Sequence, residues 1–305
     1  PQDVAPGGTI MLDDGLIKLQ IQTVNDTDIV CTVLNNGKIK NKKGVNVPGV
    51  HLSMPYMSQR DRDDILFGIE QGYDLISASF TRSAQDIMDI RHLLDEHNAN
   101  IRIIAKIENQ EGIDNIDEIL SVADGIMVAR GDLGVECPIQ TVPVMQKKIV
   151  AACRKYGRPV IIATQMLESM IKAPTPTRAE VSDVATAVYD GADAVMLSAE
   201  TAAGKYPVEA VKMMNKIITQ VEADPLFFQY MKNLQSVSCC MGEADSITYA
   251  ASEISKVLKN VKAVVTYTSS GRTTFLVSRE RPDIPIVAVT PNIKVARQLG
   301  LVWGA

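Results

Sequence analysis

Five short apolar runs recur between residues 75 and 199, and polar residues follow each of them. The runs lie at 75–80, 101–107, 126–130, 160–164 and 194–199. Amphipathic stretches separate the runs, and this alternation at roughly thirty-residue intervals is typical of βαβ units with parallel strands. The pattern therefore predicts five parallel strands of a (β/α)8 barrel or an open α/β sheet, with polar residues at the strand ends where such folds build active sites.

Helix start signals support this alternation. Ser83 with Asp86, and Thr177 with Glu180, match capping boxes ahead of stretches with helical apolar spacing. Pro207 suits the first position of another helix. A complete (β/α)8 barrel has eight strands, so a barrel would need three more strands from outside this chain.

The two ends of the chain have different patterns. Residues 1–53 alternate apolar and polar positions and carry an Asp-Asp-Gly turn and an Asn-Gly turn signal at 36–37, which predicts a small all-β unit. The pattern loosens over 223–240. A second α/β segment is then predicted, with a helix at about 245–259, a strand at 262–267, a helix after Gly271, a strand at 285–289 and another helix.

Composition narrows the class of protein. The chain has 305 residues, 46% hydrophobic and 22% charged, which is typical of a soluble globular protein with two or three domains. A net charge of −5 argues against nucleic acid as a partner. No apolar run is long enough to indicate a membrane span, and no signal peptide indicates a secretory route. The five cysteines lack zinc-ligand spacing, Cys239 and Cys240 being adjacent, so we expect reduced thiols. Because the chain begins at Pro1 rather than Met, we also expect a fragment.

Lys106 and Glu108 carry opposite charges at one strand end. Residues two apart in a strand share a face, so both side chains project together from the end of a buried strand. A salt bridge is the simpler interpretation of such a pair by itself. The attraction between two charges alone seldom offsets the free-energy cost of removing both from water. A ligand with charges of both signs, such as a metal–phosphate complex, therefore explains the pair better.

Two neighbouring strand ends add to this candidate site. Asp132 lies between Gly131 and Gly134, and with Glu108 it forms a carboxylate pair of the kind that Mg²⁺ takes. Alone, Asp132 could equally be part of an ordinary turn. Thr164 ends another strand, where it is either a satisfied hydroxyl or a group that binds a carboxylate or relays a proton.

Two further segments contain weaker signals. Lys38, Lys40, Lys42 and Lys43 form a basic loop, which by itself is most simply a solvated turn. The run YTSSGRTT at 267–274 follows a predicted strand and opens a helix, as a phosphate-binding loop does, although it lacks the Walker lysine.

Several long motifs together resemble the pyruvate kinase family, of the bacterial type. The run IRIIAKIENQEGI at 101–113 is similar to the family's active-site signature. In the family's order, the chain also contains KNKKGVNVPG at 40–49, GIMVARGDLGVE at 125–136, PVIIATQMLESMI at 159–171 and PTPTRAEVSDVATAVYDGADAVMLSAETAAGKYP at 174–207. The resemblance implies part of a β-barrel lid at 1–54, the last five strands of a TIM barrel at 55–223, and part of an α/β regulatory domain at 224–305.

The resemblance also implies an activity, the last step of glycolysis. Such an enzyme transfers the phosphoryl group of phosphoenolpyruvate to ADP, giving ATP and pyruvate. Lys106 would stabilise the phosphoryl group and the enolate oxygen, and Glu108 and Asp132 would hold Mg²⁺ or Mn²⁺. The amides of Gly131 and Asp132, with Thr164, would bind the substrate carboxylate. Thr164 with Ser198 and water would lie on the protonation side.

Other implied features lie further from these strand ends. Lys43 matches a lid lysine that approaches the nucleotide. The family's effector-phosphate loop matches Thr268, Ser269, Ser270, Gly271, Arg272 and Thr273. The K⁺ ligands of the family would lie upstream of Pro1. A cytoplasmic homotetramer without nucleic-acid or membrane partners is the expected assembly.

Two alternatives stay open at this point. One is a keto-acid aldolase that uses a metal or a Schiff base on Lys106. The other is a catalytically inactive fragment that acts only in binding, because three barrel strands would be absent.

Overall fold

The computed structural model describes residues 1–233, 242–258 and 260–305. Within these ranges Cys31, Cys137 and Cys153 are free thiols, whereas Cys239 and Cys240 lie outside the described residues. None of the helices in these ranges has both the length and the apolar character needed to cross a membrane.

The first unit is a four-stranded antiparallel sheet in the order β3-β2-β1-β4. Its strands are β1 (Thr9–Leu12), β2 (Ile17–Val24), β3 (Ile29–Val33) and β4 (Val45–Asn46). Ile10, Ile17 and Ile21 are buried, as the alternating pattern predicts. The Asn36–Gly37 signal does not form a hairpin, because the strands on either side of it, β3 and β4, lie at opposite edges of the sheet.

The middle of the chain forms a five-stranded parallel sheet whose strands follow one another in sequence order. The strands are β5 (Leu75–Ala78), β6 (Arg102–Ile107), β7 (Gly125–Ala129), β8 (Val160–Ala163) and β9 (Ala194–Met196). All five predicted strands are therefore confirmed, and sequential parallel order is the order of a (β/α)8 barrel.

Both faces of this sheet are packed, which explains why the strands are continuous apolar runs rather than alternating ones. On β6, Ile103, Ala105 and Ile107 contribute to the large core beneath the helices. Ile104 belongs to a second cluster with residues of β7 and β8. Lys106 is two residues after Ile104, so it continues the face opposite the helices.

Helices connect and surround these strands. They are α1 (Gln59–Glu70), α2 (Ala84–Glu96), α3 (Gln110–Asp114), α4 (Ile116–Val122), α5 (Arg130–Glu136), α6 (Val142–Tyr156), α7 (Arg178–Asp190), α8 (Ala199–Ala202), α9 (Pro207–Glu222) and α10 (Pro225–Asn233). Ser83 and Thr177 cap α2 and α7 with complete capping boxes, and Pro207 begins α9. These three helix starts are confirmed.

The C-terminal unit contains two parallel strands with helices against them. Its elements are α11 (Glu243–Val257), β10 (Val264–Tyr267), α12 (Arg272–Arg279), β11 (Ile286–Val289) and α13 (Ile293–Gln298). This order matches the prediction for a second α/β segment. Buried Arg281 joins the unit to the barrel part, because its guanidinium pairs with Asp193 at 2.9 Å and donates to the Gly191 carbonyl oxygen at 2.7 Å.

Candidate active site

The carboxyl end of β6 carries an ion pair. Lys106 Nζ lies 2.7 Å from Glu108 Oε1 and also donates to Ser79 Oγ at 3.0 Å. Glu108 is fully buried, and its Oε2 accepts the backbone N–H of Phe80 at 2.6 Å. The structure therefore contains the strand-end salt bridge that is the simpler interpretation of the sequence. Both charged side chains lie at the edge of the sheet where the next strand, β7, also ends.

Opposing effects act on the pKa of the Glu108 carboxyl. Burial raises the pKa of this carboxyl, and the nearby negative charge of Asp132 acts in the same direction. Hydrogen bonds from Lys106 and from the Phe80 amide oppose both effects. A buried carboxylate that also faces a second carboxylate gains from a cation placed between them.

Asp132 lies in the first turn of α5, which begins directly after β7. Its side chain is half-buried, and its charge is close enough to influence Glu108. The described residues contain no group of three or more His, Cys, Asp or Glu side chains suited to a metal ion. Two carboxylates from neighbouring strand ends nevertheless fit Mg²⁺, which keeps several waters or phosphate oxygens among its ligands.

Gly131 and Thr164 are joined by a hydrogen bond. The Gly131 amide donates to Thr164 Oγ1 at 2.7 Å, and this hydroxyl donates to the Ala163 carbonyl oxygen at 2.6 Å. A Cβ at position 131 would lie 3.4 Å from Thr164 Oγ1, an ordinary van der Waals distance, so this hydrogen bond does not itself require glycine. The Gly131 amide is thus already engaged by Thr164, which the sequence alone did not predict.

Thr164 has an unusual backbone conformation. Its φ is 71° and that of Gln165 is 56°, in the left-handed region that a residue branched at Cβ rarely adopts. Arg130 donates to the Thr164 carbonyl oxygen at 2.7 Å and pairs with Asp183 at 2.7 Å. The sequence pattern places Arg130 among the polar residues at the strand ends, but it assigned this arginine no role.

Ser198 begins the short helix α8 at the end of the β9 region. Its amide donates to Glu200 Oε2 at 2.8 Å, while Glu200 Oε1 accepts the Leu167 amide at 3.1 Å. Buried Glu200 therefore ties the loop after β8 to the loop after β9. In the part of the chain that the structure describes, the Ser198 hydroxyl has no hydrogen-bond partner, so it is available to a ligand.

Lys43 is not brought to the strand ends. Lys43 Nζ pairs with Asp13 Oδ1 at 2.6 Å inside the antiparallel unit. The hydrogen bond to Asp13 raises the pKa of Lys43. This unit does reach the strand-end region elsewhere, because Asn46 of β4 donates to Glu136 Oε1 of α5 at 2.7 Å.

The loop 268–273 lies at the other end of β6. Thr268 Oγ1 accepts the Gly271 amide at 2.9 Å, and Gly271 has a φ of 85° before α12 begins. Arg102, the first residue of β6, donates to the Ser270 carbonyl oxygen at 2.5 Å. Lys106 is near the opposite end of the same strand, so the loop and the candidate active site are separate.

Known proteins resemble this chain along nearly its whole length. The family model described as pyruvate kinase, barrel domain, matches residues 1–211, and the one described as pyruvate kinase, alpha/beta domain, matches residues 245–305. Pyruvate kinases of Bacillus licheniformis and Geobacillus stearothermophilus are each 53% identical to it, and that of Staphylococcus saprophyticus is 52% identical. Each comparison covers 99% of this chain and 52% of the relative. The chain thus spans about half the length of the curated relatives it matches.

Proposed function

The chain belongs to the pyruvate kinase family, and from this premise we propose that it forms part of an enzyme that transfers the phosphoryl group of phosphoenolpyruvate to ADP, giving ATP and pyruvate. The observation that carries the proposal is the placement of Lys106, Glu108 and Asp132 at two adjacent strand ends. Phosphoryl transfer needs positioning and charge neutralisation more than covalent help from the protein, and this set of charges provides both.

Glu108 and Asp132 would hold Mg²⁺ or Mn²⁺. When bound, the cation neutralises charge on the phosphate and enolpyruvate oxygens. The raised pKa of buried Glu108 supports this assignment, because a cation would stabilise the ionised carboxylates that burial and mutual repulsion disfavour. K⁺ belongs to the proposal as a second cation.

Lys106 would stabilise the phosphoryl group and the enolate oxygen. Its ammonium is positioned between Glu108 and Ser79, with its side chain about one-fifth exposed. A charge in such a partly desolvated position interacts more strongly with a phosphate oxygen than a charge in bulk water does. The negative groups of the substrate would thus replace part of the interaction that Lys106 has with Glu108.

Thr164 would take part in both carboxylate binding and protonation. The Gly131 amide contacts the Thr164 hydroxyl, and the Asp132 amide follows it in the first turn of α5. A substrate carboxylate would compete with Thr164 for the Gly131 amide and leave the hydroxyl free to turn toward the enolate. Ser198, whose hydroxyl has no partner in the described ranges, would assist on the same side with water.

The remaining parts of the proposal concern the neighbouring units. Residues 1–54 would act as the lid, 55–223 as the catalytic barrel and 224–305 as the regulatory part. Lys43 would exchange Asp13 for a nucleotide phosphate when the lid closes, and residues Thr268 to Thr273 would take an effector phosphate. We propose a cytoplasmic homotetramer for the complete enzyme.

Transfer of the phosphoryl group can be followed directly by ³¹P NMR. The complete protein should convert phosphoenolpyruvate and ADP to ATP, and Lys106→Met should lower the turnover number by about 100-fold or more, the scale of a lost electrostatic contact to the transition state. Lys155→Met, which removes an exposed lysine paired with Asp117, is the matched control. A Lys106→Met turnover close to that of the control would remove Lys106 from the mechanism, and borohydride trapping of a keto acid on Lys106 would favour an aldolase.

A further inference from the structure

The segment after β5 contacts both charges at the end of β6. Ser79 Oγ accepts from Lys106 Nζ at 3.0 Å, and the amide of the next residue, Phe80, donates to Glu108 Oε2 at 2.6 Å. Two consecutive residues thus hold the two members of the ion pair separately, one by a hydroxyl and one by a backbone N–H.

Phe80 adopts a strained conformation to make this contact. Its φ is 51°, in the left-handed region that bulky residues rarely occupy. Its side chain is 41% exposed, so burial of the ring does not account for the strain. Strain of this kind persists only where surrounding contacts enforce it.

Hydrogen bonds on both sides enforce the conformation. Tyr56 Oη donates to the Ser79 carbonyl oxygen at 2.9 Å. Fully buried Thr81 donates its amide to the Lys106 carbonyl oxygen at 3.2 Å and its hydroxyl to the Ala78 carbonyl oxygen at 3.0 Å. The segment is therefore fixed to the backbone of β6 immediately beside the charges that it contacts.

Under the proposed function, the two members of the ion pair would bind different ligands. Glu108 Oε1, which lies 2.7 Å from Lys106 Nζ, would bind the cation more strongly once this ammonium moves away from it toward the phosphoryl group. An ammonium that leaves a carboxylate without another acceptor loses a strong hydrogen bond. The Ser79 hydroxyl is the one other acceptor that Lys106 Nζ contacts within the described residues.

We propose that Ser79 is a positioning residue whose hydroxyl holds the Lys106 ammonium as Glu108 turns its Oε1 to the divalent cation, while the Phe80 amide keeps Glu108 Oε2 in place. The inference rests on the proposed function, because the cation and the phosphoryl group are the ligands for which the pair opens.

Ser79→Ala tests this role with two readouts. Mn²⁺ affinity, measured on the complete protein by the EPR signal of free Mn²⁺, should fall about fivefold, because Lys106 then has Glu108 as its one remaining partner and competes with the cation. The turnover number should fall by a similar factor, with the KM for ADP unchanged. Ser79→Thr should restore both values, since the exposed position has room for a methyl group and the hydroxyl is kept.

Ser77→Ala is the matched control. Ser77 is another exposed serine, two residues earlier in β5, and its side chain has no hydrogen bond to any described residue. The proposal is overturned if Ser79→Ala matches Ser77→Ala in Mn²⁺ affinity, or if Ser79→Thr is as weak as Ser79→Ala. Should Ser79→Ala fail to fold, Ser79→Thr against Ser79→Val decides on the same readouts, because only threonine retains the acceptor.

The two readouts also separate this inference from the proposed function. A wild-type protein that binds Mn²⁺ with the predicted dependence on Ser79, but transfers no phosphoryl group to ADP, would overturn the function and support the inference. If the protein transfers the phosphoryl group but its Mn²⁺ affinity does not depend on Ser79, the function would be supported and the inference overturned.

Discussion

Thr164 combines a left-handed backbone with a hydroxyl that accepts the Gly131 amide at 2.7 Å. Thr164→Val keeps the shape but removes the acceptor. We expect the free energy of unfolding to fall by about 1 kcal/mol, because a half-buried amide loses its partner. The turnover number should fall further than this loss of stability explains, since the hydroxyl also belongs to the proposed chemistry. Urea unfolding and ³¹P NMR measure the two effects.

Thr164→Ser is the control for this change. It keeps the hydroxyl and should leave both the free energy of unfolding and the turnover number close to wild type. A loss in Thr164→Ser, with Thr164→Val close to wild type, would show that the methyl group, rather than the hydroxyl, matters at this position.

Individual residues of the candidate site were predictable where strand geometry alone decided their position. Lys106 and Glu108 share a face because side chains alternate along a strand, and Asp132 is near them because parallel neighbours end at one edge. The positive φ of Phe80 and of Thr164 was not predictable. Neither residue type favours it, and it depends on hydrogen bonds from elements distant in sequence.

At the scale of elements, Glu136 joins α5 to the antiparallel unit through Asn46 of β4. Burial raises the pKa of Glu136 above its ordinary value of 4.5, and the hydrogen bond from Asn46 partly opposes this. The folded protein therefore holds this proton more tightly than the unfolded chain. The corresponding stability is fully present below the unfolded pKa and is lost as pH rises through the folded pKa.

Glu136→Gln should remove this loss of stability at higher pH, because glutamine does not titrate. The free energy of unfolding of this variant, relative to wild type, should increase as pH rises from about 4 to about 7. Asn46→Ala should instead keep the stability contribution of Glu136 up to a higher pH, because the hydrogen bond that lowers the pKa of Glu136 is lost. Denaturant titrations across this range measure both, and a pH-independent difference for Glu136→Gln would contradict the account.

The sequence predicted helices and strands well where a local signal determines the end of the element. It predicted them less well where tertiary packing determines that end. Ser83, Thr177 and Pro207 each begin a helix by local chemistry. By contrast, no local signal in the sequence indicated that residues 110–122 form two helices, α3 and α4, which meet at Asn115. The Asn36–Gly37 signal fails as a hairpin because the strands on either side of it, β3 and β4, lie at opposite edges of the sheet, an arrangement that no local pattern reveals.

Across the whole molecule, Arg102 connects the barrel part to the C-terminal unit. Its guanidinium pairs with Asp124 at 3.2 Å, donates to Gln298 Oε1 at 3.1 Å and lies 4.8 Å from the centre of the Phe275 ring. With its bond to Ser270, one side chain thus contacts α12, α13 and the loop before them. Such a contact set between distant segments follows from the tertiary fold and could not be predicted from the sequence pattern.

Arg102→Met should loosen the C-terminal unit. We expect hydrogen–deuterium exchange of the α13 amides, Ile293–Gln298, to accelerate by about 30-fold, which corresponds to about 2 kcal/mol for lost bonds to a charged group. Arg62→Met is the control, because Arg62 forms an exposed pair with Glu96 that contributes little. Unchanged exchange in α13 would mean that other contacts, such as Arg281 with Asp193, hold the unit alone.

The central claim is that Glu108 and Asp132 share one divalent cation beside Lys106, and anomalous diffraction from crystals of the complete protein grown with Mn²⁺ tests it most directly. The account predicts one strong peak about 2.1 Å from a carboxylate oxygen of each residue, the distance at which oxygen ligands bind such cations. A peak bound to only one of the two carboxylates, or no peak at this sheet edge, would contradict it.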